Sequence, residues 1–163
     1  MTPRVRKGLI VALLHVAIVA SLGAKMLVDR ATRPRVWARV VPYDPDLPIR
    51  GRYVRMAIEA DADASVHSTY DGYFTPVVRN DRLMFLPAGR DALYGQTQQR
   101  DGRFVVRLRE PLAYFIPEHV PDPSFRPAGE ELWVEVTLPR RGPPRPIRLG
   151  VLKSGSLTPL DLD

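Results

Sequence analysis

No cysteine occurs anywhere in the 163 residues. That absence removes disulfides, thiol catalysis, cysteine-based metal sites and the lipidated cysteine of a bacterial lipoprotein. Lysine is scarce, 3 residues against 21 arginines, and the 3 histidines (His15, His67 and His119) include no pair at metal-ligand spacing. Neither serine nor lysine occurs between Val28 and Ser65, and no serine sits in a nucleophile-like turn. Walker-type and Rossmann glycine patterns are missing. No segment past Asp29 holds a helical period for three turns. The most informative absence is of charge: Gly8 to Ala24 carries none, between Arg4, Arg6 and Lys7 on one side and Lys25 on the other.

At about 1.5 Å per residue this run covers roughly 26 Å, slightly short of a hydrocarbon core of about 30 Å. Lys25 can snorkel, so Met26, Leu27 and Val28 complete a span over residues 8–28, which Asp29 and Arg30 end. His15 is its one strongly polar side chain. With no acidic neighbour in the span it reads as a neutral passenger rather than a proton relay. A cleaved signal peptide is the alternative, with Ser21 and Gly23 at the small-residue positions. The run exceeds the usual apolar region of a signal peptide, so an uncleaved anchor is the expectation. Basic residues near a span stay on the cytoplasmic side. Residues 1–7 are therefore expected in the cytoplasm, with a linker at 29–36 and the rest outside. The arginine bias points to a GC-rich bacterial genome, hence to an inner membrane and a periplasmic domain at 37–163.

The formal charge of +6 does not indicate nucleic acid. Four basic and no acidic residues fall in Met1–Val28, leaving 20 basic against 18 acidic residues beyond it. The signs are interspersed, as in Arg100-Asp101 and Arg109-Glu110, whereas nucleic-acid binding needs a basic face.

Proline, 17 of 163 residues, occurs at about twice its usual frequency of about 5% and favours short strands and irregular loops. Alternation marks the strands. Ala38 and Val40 face away from Trp37, Arg39, Val41 and Tyr43. Val54, Met56, Ile58 and Ala60 face away from Tyr53, Arg55, Ala57 and Glu59. Phe104, Val106 and Leu108 form a third set, Leu132 to Leu138 a fourth, and Ile147, Leu149 and Val151 a fifth. Asn80-Asp81 predicts a hairpin between Phe74–Val78 and Leu83–Leu86, and Asp71-Gly72 and Asp101-Gly102 read as further turns. Pro111 to Pro127 reads as an irregular excursion. The expected fold is mainly β: an N-terminal single transmembrane helix followed by a small antiparallel β-barrel or sandwich.

No catalytic, cofactor-binding or metal site is expected. Asp61-Ala-Asp63-Ala-Ser65 opens like a calcium loop, but Val66 stands where glycine is needed and Gly72 where glutamate belongs. Glu118, His119 and Asp122 read as a polar loop. Arg103, Arg107 and Arg109 make an outward basic strip, suited to anionic lipid headgroups or an acidic partner, though cross-strand pairing with carboxylates such as Glu135 is the commoner explanation.

The stretch from Asp44 to Ile58 resembles a bacterial family named for its signature Gly-Asp-Tyr-x-x-Leu-x-Tyr, the GDYXXLXY family. Gly51 and Tyr53 match and Met56 replaces leucine, while Arg52 stands for the aspartate and Ile58 for the final tyrosine. Tyr114-Phe115-Ile116-Pro117-Glu118 is similar to a Tyr-Phe-Val-Pro-Glu element of that family. The resemblance implies a membrane-anchored protein without an assigned activity that accompanies a multi-spanning membrane partner, and it carries over no catalytic residues. The leading expectation is a non-enzymatic binding or scaffolding protein. Two alternatives stand beside it. One is a secreted soluble binding protein. The other is a hydrolase similar to signal-peptidase-like β folds, which the missing serine and lysine argue against.

Overall fold

The computed structural model describes residues 3–43, 53–140 and 142–162. The chain divides into two units, Met1–Arg33 and Pro34–Asp163. The first is a helix, α1 (Pro3–Thr32), whose stretch Arg6–Asp29 is long and apolar enough to cross a membrane. The two polar side chains of its apolar stretch, His15 and Ser21, bond back to the helix. His15 Nδ1 lies 2.8 Å from the Val11 carbonyl, and Ser21 Oγ donates to the Ile18 carbonyl at 2.8 Å. In lipid that internal pairing removes most of the cost of carrying them.

The helix continues through half of the expected 29–36 linker. Thr32 Oγ1 donates back to the Val28 carbonyl at 2.7 Å, and Arg33 pairs with Asp29 one turn earlier at 2.9 Å. Pro34, which cannot donate a backbone N–H, ends it. The first strand then starts at Arg35, two residues before the expected boundary.

The second unit contains β1 (Arg35–Pro42), β2 (Tyr53–Ala62), β3 (Asp71–Arg79), β4 (Arg82–Pro87), β5 (Leu93–Arg100), β6 (Arg103–Leu108), β7 (Leu112–Phe115), β8 (Glu130–Thr137), β9 (Arg145–Lys153) and β10 (Ser156–Pro159). β2 is the hub. One edge pairs with β1 through Met56–Glu59 and then with β4 through Asp61–Ala62. The other edge pairs with β7 through Tyr53–Met56 and then with β6 through Glu59–Asp61. From β4 the pairings run through β3, β5 and β6 and return to β2, closing a circuit of five strands. An odd circuit cannot be antiparallel throughout, and β2–β4 is its one parallel pairing. From β1 an antiparallel arm continues through β8 and β9 to β10.

The alternation works as expected where one face is apolar. Val36, Ala38 and Val40 of β1, Val54, Met56 and Ile58 of β2, and Leu132, Val134 and Val136 of β8 all enter one core with Phe74, Phe85, Val106 and Leu149. The β3–β4 turn carries Asn80 and Asp81 at φ 50° and 57°, and the β5–β6 turn carries Asp101 and Gly102 at φ 48° and 76°. Two positive angles in a two-residue loop match the right-handed twist of the flanking strands.

Two sequence expectations are corrected, and one strand for which there was no expectation is added between them. Asp71 and Gly72 lie inside β3 rather than in a turn. Gly72 faces Gly95 of β5, and a Cβ on Gly72 would meet the Tyr70 ring at 2.8 Å, so the glycine is there to seat that ring. The polar sequence of β5 hid a strand, because its inward positions are Gly95 and Thr97. A Cβ on Gly95 would stand 3.0 Å from Val106 Cγ1 and from the Arg107 carbonyl, while the Thr97 hydroxyl accepts the Tyr70 amide hydrogen. The second correction is that the excursion from Pro111 begins with a strand, since Leu112–Phe115 contains no proline and completes the edge of β2.

Gly150 of β9 has a comparable packing role. A Cβ there would lie 2.8 Å from the Trp37 ring and 3.1 Å from the Thr158 carbonyl. Gly150→Ala is expected to lower the stability of the β-unit by about 1–2 kcal/mol, as overpacking does. Denaturant unfolding followed by tryptophan emission measures it, and an unchanged midpoint would show that the ring moves aside freely.

Candidate functional site

The most highly organised polar group is built on the outward side of β2. Register places Trp133, Arg39, Glu59, Arg107, Gln96 and Asp71 opposite one another in turn across β8, β1, β2, β6, β5 and β3. Directly opposed side chains on neighbouring strands lie about 5 Å apart at Cβ, so Glu59 is flanked by an arginine on each side. Arg100, from the end of β5, adds a third. Glu59 is only 3% exposed although it points away from the main core.

Its carboxylate is saturated. Oε1 accepts from Nη1 of Arg39 and from Nη1 of Arg100 at 2.6 Å. Oε2 accepts from Nη2 and Nε of Arg107 at 3.0 and 3.3 Å. A carboxylate offers about four acceptor positions, and all four are used. Arg39 also lies 3.1 Å from Glu131 through Nε, which continues the network to β8. The arrangement fastens β1, β2, β5 and β6 together. It leaves the carboxylate no lone pair with which to take a substrate proton, so it cannot serve as a general base as it stands.

Beside it lies an open cleft of about 510 Å³ lined by Arg39, Glu130, Glu131, Leu152, Ser154 and two glycines. Its carboxylates are engaged, Glu130 with Lys153 at 3.0 Å and Glu131 with Arg39 and the Trp133 Nε1–H at 3.2 Å. A second cross-strand group is formed by Glu135, which accepts from Arg148 Nε at 2.7 Å, while the Arg148 guanidinium stacks over Trp37 at 5.4 Å.

Of the basic strip expected at Arg103, Arg107 and Arg109, the last two are met by carboxylates, while Arg103 is exposed and forms no ion pair with a described residue. Arg107 pairs with Glu59 and Arg109 lies 3.6 Å from Asp71, whereas Glu135 pairs with Arg148. Glu59 was legible only as an outward residue of β2. The missing signal was long-range register, which brings Arg39 and Arg107 to it from 20 residues before and 48 after.

The signature residues fall into two groups. Gly51 and Arg52, with the loop from Asp44 to Arg50, lie outside the described residues. The segments around Tyr53 and Tyr114 come together as antiparallel partners, Tyr53 opposite Phe115, Val54 opposite Tyr114 and Met56 opposite Leu112. Met56 is fully buried. The Tyr114 hydroxyl lies 3.4 Å from the Ile147 carbonyl. Tyr53 and Phe115 meet edge to face at 5.6 Å and remain 60% and 50% exposed. Beside them the Arg55 guanidinium lies 5.3 Å from the Tyr43 ring. Pro117 is half-buried, its carbonyl accepting from the Val120 amide at 3.2 Å, and Glu118 is exposed.

At the calcium-like opening, Asp63 Oδ1 accepts the Ser65 amide hydrogen at 3.1 Å and Oδ2 pairs with Arg79 at 3.1 Å. The hydrogen bonds from Ser65, aided by the Arg79 charge, hold the Asp63 carboxyl below its usual pKa. Asp122 caps its own turn by accepting the Ser124 amide hydrogen at 2.8 Å, and His119 is exposed. Among the described residues no group of three or more His, Asp or Glu is placed to hold a metal ion.

Comparison of the chain with protein-family models, with curated proteins and with solved structures returned no match.

Proposed function

We propose that this chain is a single-span protein of a bacterial inner membrane, with its β-unit in the periplasm acting as a non-enzymatic binding or scaffolding module. The observation that carries the reading is α1, whose 24-residue stretch Arg6–Asp29 matches a bilayer in length and has none of its side chains buried. Arg4, Arg6 and Lys7, in its first two turns, work against the helix dipole, which favours anions at an N-terminus. Their place is explained by orientation: they hold the N-terminus inside.

The polar groups of the β-unit support a binding role over catalysis. Its best-organised carboxylate has no free acceptor position, and the cleft beside it is lined by groups already paired. What the surface does offer is the aromatic pair Tyr53–Phe115 beside Arg55 and Tyr43, a composition suited to protein recognition. The two segments that resemble the GDYXXLXY family build this surface together, which supports a multi-spanning membrane protein as the partner.

A reporter fused after Asp163 tests the orientation. Alkaline phosphatase placed there is expected to be active and a cytoplasmic fluorescent reporter dark. The opposite pair of results would place the β-unit inside and remove the periplasmic reading.

A further inference from the structure

We infer that the turn between β8 and β9 is a docking surface for anionic phospholipid headgroups, a reading that rests on the membrane anchor proposed above. From Leu138 to Lys153 the sequence holds five basic residues and no acidic one. Arg148 and Lys153 are matched within the β-unit by Glu135 and Glu130. Arg140 and Arg145 are exposed, and neither forms an ion pair with a described residue. Arg82, Arg90 and Arg103 are likewise exposed without an ion pair to a described residue, so what sets Arg140 and Arg145 apart is their place beside the residue where the β-unit starts.

Connectivity brings the turn to the membrane. Arg35 is register-paired with Thr137, and Thr137 with Arg145. The Leu138 amide donates to the Pro34 carbonyl at 3.3 Å, so the turn is fastened to the residue with which the β-unit starts. Only Arg33 separates Pro34 from the last helical residue, Thr32. Two residue steps reach at most about 7 Å, whatever the angle between helix and sheet. The three residues after Asp29 add about 5 Å of helix. A bilayer's polar region extends about 5–8 Å beyond its hydrocarbon core, and an arginine side chain bridges the remainder. β9 then carries the chain away from this end, so the β9–β10 turn at Ser154–Ser156 lies about 27 Å further along the strand.

Proline is frequent on either side of Arg141-Gly142. The residues are Pro139, Pro143, Pro144 and Pro146, and Pro144 is fully buried. Prolines lose little backbone freedom on docking, which lowers the entropy spent on meeting headgroups. Each basic side chain at an anionic surface is worth about a fivefold preference.

The absence of cysteine permits a clean test with the whole chain in lipid nanodiscs. Single cysteines introduced as Arg140→Cys and, as the distal control, Ser156→Cys are labelled with a fluorophore, and quenching by a headgroup-attached quencher is read. In discs containing phosphatidylglycerol the label at 140 is expected to be quenched at least about threefold more than the label at 156. The difference should shrink in pure phosphatidylcholine, in about 1 M salt, where the screening length is about 3 Å, and when Arg141→Gln and Arg145→Gln are added. Equal quenching at the two positions, or quenching at 140 that ignores lipid charge and salt, would overturn the inference while leaving the anchor intact. The same result would identify a protein as the occupant if the label at 140 became shielded only on adding other membrane proteins. Failure of the chain to elute with the discs would overturn the anchor and the inference together.

Discussion

Replacing Glu59 by alanine is expected to destabilise the β-unit by about 3 kcal/mol, the lower end of the range for removing one partner from a buried ion pair. Three guanidiniums converge on this carboxylate, and without it they repel one another in a site that water only partly reaches. They retain 20–40% side-chain exposure, so they can turn outward and recover hydration, which keeps the cost from the upper end of that range. Glu59→Gln keeps the shape and removes only the charge, so it should fall between alanine and the parent. Arg100→Ala is the contrasting case. That residue is 40% exposed and its loss leaves Glu59 with two arginines, so the expected change is within about 1 kcal/mol. Denaturant unfolding of residues 34–163, followed by emission from Trp37 and Trp133, separates these outcomes. Equal effects of Glu59→Ala and Arg100→Ala would show that the cluster is a surface ornament rather than a clamp.

Phe85→Ala should cost about 3–5 kcal/mol, the range for emptying a buried phenylalanine site. Phe85 is fully buried, pairs with Pro76 across the β3–β4 hairpin and stands beside Ala62, where β4 makes the one parallel contact with β2. The strand circuit closes there through two register pairs only, so side-chain packing has to hold what few hydrogen bonds do. The loss should appear as a lower unfolding midpoint with the slope little changed. A cost below about 1 kcal/mol would mean that the surrounding side chains collapse into the space.

What could be read from sequence divides along a physical line. α1, β2, β8 and β9 were legible because burial on one face alone imposes a period of two, and a bilayer imposes a length. The Asn80-Asp81 turn was legible because its backbone angles select those residues. β5 was illegible because its inward positions, Gly95 and Thr97, are small where Phe74 and Val106 fill the space, so alternation never registered as apolar. Gly72 was misread for a related reason: a glycine that seats an aromatic ring looks the same in sequence as one that turns the chain. The Glu59 cluster was hidden by distance, since the three arginines around the carboxylate belong to three other strands and no local pattern links them. The pairing of the Tyr53 and Tyr114 segments was equally non-local, and only β2–β7 register brings them together.

The central claim is that α1 stays attached to the β-unit and holds it at a membrane. Alkaline carbonate washing of membranes, followed by intact mass and N-terminal sequence of the protein in each fraction, tests it most directly. The account predicts that the chain stays in the membrane pellet with the segment Gly8–Val28 still attached, uncut at Gly23 or Ala24. A soluble product beginning at Ala24 or Lys25 would contradict it and make the β-unit a secreted protein.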